Sequence, residues 1–364
     1  MVYFLQPFQH PDNKHMQNSK INAVDGIRGL ALLNVLILHA TGLFFPSIGA
    51  YLSGTAQFGV WLFFILSAFL LTNRFFVTGF SPKTMLSYFL GRSLRIMPIF
   101  FLAVYVYFYA GLFDESVLSS IVNFTGTYAH FWTIPVEFSF YFVLPFIAYA
   151  AIRVTRLYSP YVTLAVILTA VIIHQLFFPH TRINLGGRMI WYVPVFLFGM
   201  MASCLFMSGK RSTLSPMASD AICLLVFIVC FCTTPWVLNS VFGMPLKGWI
   251  SNKFTFISPL LAVFVYLMCE GKGVFGWLMR TTLMTSLGKW SFSIYLWHLL
   301  ILFRIAPFNH NNVAVYVVTI IACIGLGAIS FKVIEEPCEK LRHRIMKAVT
   351  SRQDVASESA VKSS

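Results

Sequence analysis

Long apolar stretches separated by short polar connections dominate the hydropathy pattern of the chain. A helix of about 17 to 25 mostly apolar residues is long enough to cross a bilayer. Such stretches lie near residues 24–45, 57–78, 95–113, 131–152, 160–178, 189–207, 219–239, 254–270, 286–306 and 313–334. The pattern therefore predicts an all-α integral membrane protein, a bundle of about ten transmembrane helices.

The composition supports this interpretation. Of 364 residues, 58% are hydrophobic and 10% are charged, which leaves too little polar surface to cover a soluble globule. The chain divides into a polar cytoplasmic N-terminal segment (1–20), a transmembrane domain (21–342) and a basic, disordered cytoplasmic tail (343–364). The N-terminal segment has no cleavable signal pattern, so we expect the first span to direct insertion.

The distribution of positive charge predicts the orientation. A net charge of +14 would suit a nucleic-acid partner, but the lysines and arginines alternate from loop to loop, as in membrane proteins oriented by their charged loops. With the N-terminus inside, 21 of the 26 basic residues lie on the cytoplasmic side. The other five are Arg182, Arg188, Lys247, Lys253 and Arg304. We therefore expect both termini in the cytoplasm and no nucleic-acid partner.

The seven cysteines indicate neither disulfides nor a metal site. They form no C-x-x-C pair and lie mostly inside the predicted spans, where buried thiols are ordinary. We expect inert thiols and no bound metal. They are Cys204, Cys223, Cys230, Cys232, Cys269, Cys323 and Cys338.

Three ionisable residues interrupt the first span, in "VDGIRGLALLNVLILHA". Each such group costs roughly 2.5 to 3.5 kcal/mol in the hydrocarbon region, so it needs a partner, a watery cavity or a function. Arg28 and His39 are separated by about 16.5 Å along a helix and by about 20° around it, which places them on one face. Asp25 lies near the cytoplasmic entry, where it can cap the helix and pair with Arg28. At about 21 Å from His39, it cannot orient that histidine.

A partner for His39 is available on the fourth span, in "HFWTIPVEFSFYFVLP". Glu137 lies near the outer end of this span and at a similar depth to His39. A carboxylate that accepts a hydrogen bond from the imidazole would fix its tautomer and stabilise the imidazolium formed during proton removal. The alternative is a structural hydrogen bond between two helices.

Arg92 and Arg95, in "FLGRSLRIMP", are three residues apart at the predicted cytoplasmic start of the third span. They share a helix face, and their guanidinium groups suit phosphates. The alternative is that they are ordinary topology anchors. Together with Arg28 they would hold the anionic end of a long phosphate-bearing donor, whose reactive end would then lie near the outer leaflet.

The ninth span carries "GKWSFSIYLWHLLILF", with His298 about midway and Tyr295 one turn earlier. A single intramembrane histidine is often a satisfied hydrogen-bonding group between helices. Trp132 and Trp297 are consistent with interfacial or packing roles as well as with a site.

Taken in order, these motifs resemble the acyltransferase-3 family of membrane acyltransferases, which acylate bacterial surface glycans. "DGIRGLALLNVLILH" is similar to the first-helix signature of the family, "RSLRIMP" to its paired arginines and "FWTIPVEFSFYFVLP" to its tryptophan-to-glutamate segment. "SFSIYLWHLLIL" resembles its late tyrosine and histidine segment, and "VIEEPCEKL", with Glu335 and Pro337, its closing acidic-proline stretch. The resemblance extends from about residue 21 to 342.

The resemblance implies an O-acyltransferase in the bacterial inner membrane, which uses cytoplasmic acetyl-CoA to modify a lipid-linked or exported cell-surface polysaccharide. His39 would be the base or a transient acyl carrier, with Glu137 as its partner. Tyr141, Tyr295 or Trp132 would stabilise the oxyanion. A homo-oligomer and partner glycan-assembly proteins stay open. The expected substrate-binding residues are Asp25, Arg28, Arg92, Arg95, Trp132, Tyr295 and His298.

The sequence departs from the family at two points. Many members have a second acidic residue after the glutamate, where this chain has Phe138, and many carry an appended secreted hydrolase-like domain, which we do not expect here. Two other functions remain open. A secondary transporter or glycan exporter would also suit ten spans with intramembrane polar residues, and a non-catalytic scaffold would leave His39 and Glu137 unexplained.

Overall fold

The computed structural model describes residues 13–182, 188–209, 212–246 and 253–345, with the side chains of 13–22 left aside. These ranges are mainly helical and contain no β-strand. The predicted all-α, multi-span membrane protein is confirmed. Much of the two polar ends, 1–12 and 346–364, lies outside the described residues, as do Lys210, Arg211 and Lys247. The helices are α1 (Asn13–Phe44), α2 (Pro46–Tyr51), α3 (Gln57–Thr78), α4 (Pro82–Tyr109), α5 (Glu115–Val122), α6 (Thr133–Leu157), α7 (Pro160–Phe177), α8 (Met189–Met207), α9 (Pro216–Cys232), α10 (Pro235–Phe242), α11 (Phe254–Glu270), α12 (Gly273–Met279), α13 (Thr282–Ile305) and α14 (Val313–Ser330).

The described residues contain eight helices that are long and apolar enough to cross a membrane. Two further pairs, α9 with α10 and α11 with α12, pass the same test together but bend by 67° and 80°. If each bent pair is one span, the total is ten, which agrees with the hydropathy pattern. After α14 a π-helical turn (Phe331–Glu335) continues into further helix to residue 345.

Two helix starts differ from the sequence-based expectation. The third span begins at Pro82, so Arg92 and Arg95 lie inside α4 and not at its start. The first helix begins at Asn13, so Asp25 lies within α1 and does not cap it. The reason is the same in both places. A hydropathy pattern locates the apolar part of a helix, whereas backbone hydrogen bonds continue through polar residues that favour helix.

Serine and proline begin several of the spans. The side chains of Ser81, Ser159 and Ser215 each accept a hydrogen bond from the backbone N–H three residues later, and a proline follows each serine at the first helical position. The serine satisfies a donor that the helix leaves unpaired, and proline needs no donor there. These short Ser-Pro sequences therefore fix where α4, α7 and α9 begin.

Glycines bring α1 into backbone contact with α13 and with Met279, the last residue of α12. A Cβ atom added at Gly26 would lie 1.7 Å from the carbonyl oxygen of Met279, and one added at Gly288 would lie 1.7 Å from that of Asp25. At Gly29 it would lie 2.3 Å from the carbonyl oxygen of Met284. Small residues allow transmembrane helices to approach this closely. The contact fixes the register between the two helices that carry His39 and His298.

Two asparagines inside the apolar spans connect neighbouring helices. The side-chain oxygen of Asn34 on α1 accepts a hydrogen bond of 3.0 Å from the backbone N–H of Gly59, in the first turn of α3. The side-chain oxygen of Asn73 on α3 accepts a hydrogen bond of 2.6 Å from the hydroxyl of Ser203 on α8. Asn34 therefore connects α1 to α3, and Asn73 connects α3 to α8.

Candidate active site

The three predicted arginines line one cavity of about 120 Å³, the inner cavity. Arg28 projects into it from α1, and Arg92 and Arg95 project from successive turns of α4. Glu137 of α6 lines the same cavity. The structure thus brings together the residues that we expected to bind a phosphate-bearing donor, and it adds the carboxylate of Glu137 to them.

Glu137 is held by two hydroxyl groups. Its Oε1 atom accepts hydrogen bonds from Ser67 of α3 and, at 2.5 Å, from Tyr141 one turn further along α6. The guanidinium carbon of Arg92 lies 5.9 Å from the centre of the Tyr141 ring, a cation–π contact. The Nε atom of Arg92 is buried and has no hydrogen-bond partner among the described residues. One N–H of an arginine that lines the inner cavity is therefore unpaired among the described residues.

Three carboxylates that do not line the inner cavity interact with the arginines. Asp25 and Glu335 both interact electrostatically with Arg28, and Arg95 lies 3.5 Å from the carboxylate of Glu339. Glu335 is buried in the π-helical turn, where it accepts a hydrogen bond of 2.7 Å from Ser293 of α13. These groups offset part of the positive charge and hold the arginines in place.

His39 lines a second cavity of about 430 Å³, the outer cavity. His130 and Trp132 come to it from the 3₁₀ turn before α6, and Gln57 comes from the start of α3. Gly42, on the turn of α1 after His39, also lines it. The outer cavity contains none of the three arginines. Arg28 and His39, predicted to share one passage, therefore face separate but adjacent cavities.

Val60 and Tyr295 line both cavities and form the wall between them. The hydroxyl of Tyr295 donates a hydrogen bond of 2.9 Å to the carbonyl oxygen of His130 and lies 2.9 Å from Oγ1 of Thr133. Tyr295 is thereby fixed to the turn that begins α6. A donor that reaches His39 from the inner cavity must pass this wall.

His39 is paired with His298. Nδ1 of His39 lies 2.9 Å from Nε2 of His298, and the two rings are almost coplanar, with 1° between their planes. Nδ1 of His298 lies 2.7 Å from the carbonyl oxygen of Tyr295. A carbonyl oxygen only accepts, so Nδ1 of His298 carries a proton. In the neutral ring Nε2 then accepts, Nδ1 of His39 donates, and Nε2 of His39 is left with a free lone pair.

The prediction that Glu137 orients His39 is wrong. The hydrogen-bond partner of His39 is His298, and Glu137 is bonded to Ser67 and Tyr141 in the other cavity. The prediction rested on the similar depth of Glu137 and His39 in the membrane. Depth alone does not determine the direction in which a side chain projects from its helix. Considered as a single residue, His298 favoured a structural interpretation. In the structure it fixes the tautomer of His39.

The remaining candidates separate into site and packing residues. The indole N–H of Trp297 donates a hydrogen bond of 2.7 Å to Ser330 of α14, so Trp297 connects two helices outside the cavities. The hydroxyls of Tyr141 and Tyr295 both already donate hydrogen bonds, to Glu137 and to the carbonyl of His130. Trp132 lines the outer cavity, where its ring stacks on Tyr192.

Tyr107, which is not among the residues predicted from the sequence, interrupts the backbone hydrogen bonding of α13 beside the site. The hydroxyl of Tyr107 donates a hydrogen bond of 2.9 Å to the carbonyl oxygen of Leu296 and accepts one of 2.7 Å from the N–H of Leu300. It thus occupies the position of a helical i to i+4 hydrogen bond. The carbonyl of Leu296 also accepts from Nε2 of His130, at 3.2 Å. Only the folded chain brings these residues, 189 positions apart, together.

The transmembrane domain matches a known protein family. A family model described as an acyltransferase domain matches residues 21–331. The chain belongs to this acyltransferase family. No curated protein and no solved structure matches it. The family supports a membrane acyltransferase over the transporter and the scaffold.

In this acyltransferase the departure at Phe138 has a structural consequence. The Phe138 ring packs against Phe124, Tyr141 and Phe142, with ring centres 6.2, 6.4 and 5.3 Å away. An aromatic cluster therefore occupies the position where many members carry a second carboxylate. A mechanism that needs two adjacent carboxylates at this position therefore does not fit this member.

Proposed function

We propose that this membrane acyltransferase transfers an acetyl group from cytoplasmic acetyl-CoA to a hydroxyl of a lipid-linked or exported cell-surface polysaccharide, in the bacterial inner membrane. The observation that carries the proposal is the arrangement of the two cavities. An arginine-lined cavity and a histidine-lined cavity meet at Val60 and Tyr295. The first suits the phosphates of the coenzyme, and the second supplies a base for a hydroxyl group.

The inner cavity binds the donor in this proposal. Arg28, Arg92 and Arg95 contact the phosphate groups, since guanidinium groups form paired, charge-assisted hydrogen bonds with phosphate oxygens. The unpartnered Nε atom of Arg92 is one such donor. The acyl-pantetheine arm extends past Val60 and Tyr295, so the thioester lies beside His39. Arg28 and His39 are about 16.5 Å apart along α1, a span that an extended arm can cover.

His39 acts as the general base. The acceptor hydroxyl gives its proton to Nε2 of His39, its oxygen bonds to the acetyl carbonyl carbon, and the C–S bond of the thioester breaks. The imidazolium then returns the proton to the leaving thiolate, and the products are the acetyl ester and free CoA. His298 accepts the hydrogen bond from Nδ1 of His39 throughout, which stabilises the imidazolium. A positioned base of this kind contributes about 10² to 10⁴-fold in rate.

The oxyanion that forms on the acetyl carbonyl needs a hydrogen-bond donor. Because Tyr141 and Tyr295 already donate to protein oxygens, we assign this role to the indole N–H of Trp132. The ring of Trp132 stacks on Tyr192, with ring centres 5.2 Å apart. That contact holds the indole in a fixed orientation, as electrostatic stabilisation of a transition state requires.

The experiment compares purified variants in proteoliposomes that contain lipid-linked glycan extracted from the source cells and radiolabelled acetyl-CoA. We expect His39→Ala to lose acetyl transfer by at least about 10²-fold while acetyl-CoA binding is retained, because the base is outside the donor cavity. Arg92→Ala combined with Arg95→Ala should instead raise the KM for acetyl-CoA. Mass spectrometry of the glycan identifies the added acetyl group.

His174→Ala is the matched control. This histidine lies on α7, outside both cavities, and its Nε2 atom is 2.7 Å from the carbonyl oxygen of Ile190. It should transfer acetyl at the wild-type rate. Full activity of the His39 variant would refute the role of His39 as the base. Absence of labelled glycan with the wild type would refute the acetyl-CoA and glycan assignment.

A further inference from the structure

His130 has an unused hydrogen-bond acceptor and lies at the wall of the outer cavity. It is 3% exposed, it lines the cavity, and its Nδ1 atom is buried with no partner among the described residues. Its Nε2 atom lies 3.2 Å from the carbonyl oxygen of Leu296, so Nε2 carries the proton. Nδ1 of the neutral ring can then only accept. A buried acceptor left unpaired is unfavourable by about 1 to 3 kcal/mol, which calls for a ligand that donates to it.

The fold holds this ring in place from several sides. Ala129, the preceding residue, has a φ of 46°, in the left-handed region that non-glycine residues rarely adopt. The carbonyl of His130 accepts the hydrogen bond from Tyr295, and the ring centre lies 5.1 Å from those of Tyr295 and His298. Strain of this kind is found where function requires a particular geometry. The turn therefore fixes the position of the His130 ring, although Ala129 must adopt an unfavourable backbone conformation.

Two further groups of the outer cavity also offer acceptors. The side-chain oxygen of Gln57 is buried without a partner among the described residues, and Nε2 of His39 has its lone pair free. His39 and His130 lie on two sides of His298, with ring centres 5.2 and 5.1 Å from it. A cavity that offers acceptors suits a ligand with several O–H donors, and Trp132 supplies an apolar face for such a ring.

We propose that the outer cavity is the acceptor site and that Nδ1 of His130 receives a hydrogen bond from a second hydroxyl of the acceptor, beside the hydroxyl that His39 deprotonates. His130 is then a specificity-determining residue that selects polyhydroxylated acceptors over simple alcohols and water. The proposal rests on the proposed function and adds to it a residue and a mode of recognition.

Two substitutions separate this role from a structural one. In His130→Asn the side-chain oxygen takes the place of Nδ1, so the acceptor group is kept and the hydrogen bond to Leu296 is lost. In His130→Gln the side-chain amide nitrogen takes the place of Nε2, so the bond to Leu296 is kept and the acceptor is lost. A recognition role makes Gln the harmful change, whereas a structural role makes Asn the harmful one.

The measurement is the apparent KM for lipid-linked glycan extracted from the source cells, with radiolabelled acetyl-CoA, for purified full-length protein in proteoliposomes. We expect His130→Gln to raise this KM about tenfold, the value of one hydrogen bond, while the KM for acetyl-CoA is unchanged. His130→Asn should stay within about threefold of the wild type. His174→Gln, which keeps a carbonyl-bonded nitrogen outside both cavities, is the control and should change neither constant.

A third variant tests the cavity without touching His130. A Cβ atom at Gly42 would meet no atom within 4 Å, so Gly42→Leu can fill the outer cavity without a clash. It should raise the acceptor KM by more than tenfold and leave the acetyl-CoA KM alone. An unchanged acceptor KM in Gly42→Leu, or in His130→Gln, would overturn the inference while the proposed function stands. Absence of transfer by the wild type would overturn both.

Discussion

At the scale of single residues, the proposed mechanism gives a histidine pair the role that a carboxylate has in many acyl-transfer sites. In a Ser-His-Asp triad the carboxylate fixes the tautomer of the base and stabilises its charge. Here Nε2 of His298 accepts from His39, and the carbonyl of Tyr295 fixes the proton on the far side of His298. A neutral pair avoids placing a carboxylate beside the base in a low-dielectric region, where charge is unfavourable.

This arrangement predicts different outcomes for two changes at His298. His298→Leu leaves Nδ1 of His39 without an acceptor, so kcat should fall by about 10²-fold with the acetyl-CoA KM unchanged. His298→Gln keeps an oxygen that can accept from His39, and kcat should stay within about tenfold of the wild type. Both constants come from the proteoliposome assay.

Cys323→Ala provides the control, because the thiol of Cys323 donates its hydrogen bond to the backbone carbonyl of His298, at 3.7 Å, and this bond does not involve the imidazole nitrogens. It should leave kcat unchanged. Wild-type kcat in His298→Leu would show that His39 needs no orienting partner.

At the scale of elements, the contact between α1 and α13 decides where the site forms. These two helices carry the histidine pair. Their backbones touch at Gly29 and Gly288, beside Arg28 of the inner cavity. Van der Waals packing and interhelical hydrogen bonds drive helix association in lipid, because there is no hydrophobic force between helices there. The glycines therefore set both the stability of this pair and the register that brings His39 to His298.

Gly288→Val should disrupt this packing. Its Cβ atom would lie 1.7 Å from the carbonyl oxygen of Asp25, so the helices must separate. We expect a lower thermal unfolding midpoint, less monodisperse protein after detergent extraction and lost acetyl transfer. Gly325→Val on α14 is the control, because a Cβ atom there meets no atom within 4 Å. Equal midpoints for the two variants would contradict this account of the α1–α13 contact.

At the scale of the whole molecule, the chain places two different chemistries at two depths. Arginines with nearby carboxylates lie on the predicted cytoplasmic side, and histidines lie beyond them, under the predicted outer loops. The wall of Val60 and Tyr295 separates the two cavities while leaving them adjacent. This arrangement suits a reaction whose two substrates approach from opposite sides of the membrane.

The two-sided arrangement predicts that acetyl-CoA reaches the enzyme from one side only. Acetyl-CoA is multiply charged and does not cross a bilayer, so inside-out vesicles should transfer acetyl from external acetyl-CoA and right-side-out vesicles should not. A Glu115→Cys variant at the start of α5 should be labelled from outside the cell and a Tyr158→Cys variant after α6 from inside, since both positions are exposed. Transfer by sealed right-side-out vesicles would contradict the orientation.

The sequence by itself determined the all-α architecture, the approximate positions of the eight to ten candidate spans and the presence of ionisable groups within them. These are one-dimensional properties, because the thickness of the bilayer sets the length of a span and burial in lipid makes each charged group conspicuous. The same reasoning placed Arg28, Arg92 and Arg95 together, and they line one cavity.

Only the tertiary structure decided which groups are partners. His39 pairs with a residue 259 positions away. His130 lies in the turn before α6 and is hydrogen-bonded to the carbonyl oxygen of Leu296 on α13. Glu137 lines the same cavity as the three arginines. Helical spacing gives the face of a residue on its own helix, but the rotation and register of neighbouring helices come from close glycine contacts and interhelical hydrogen bonds. Those contacts join residues far apart in the chain, so no local pattern records them.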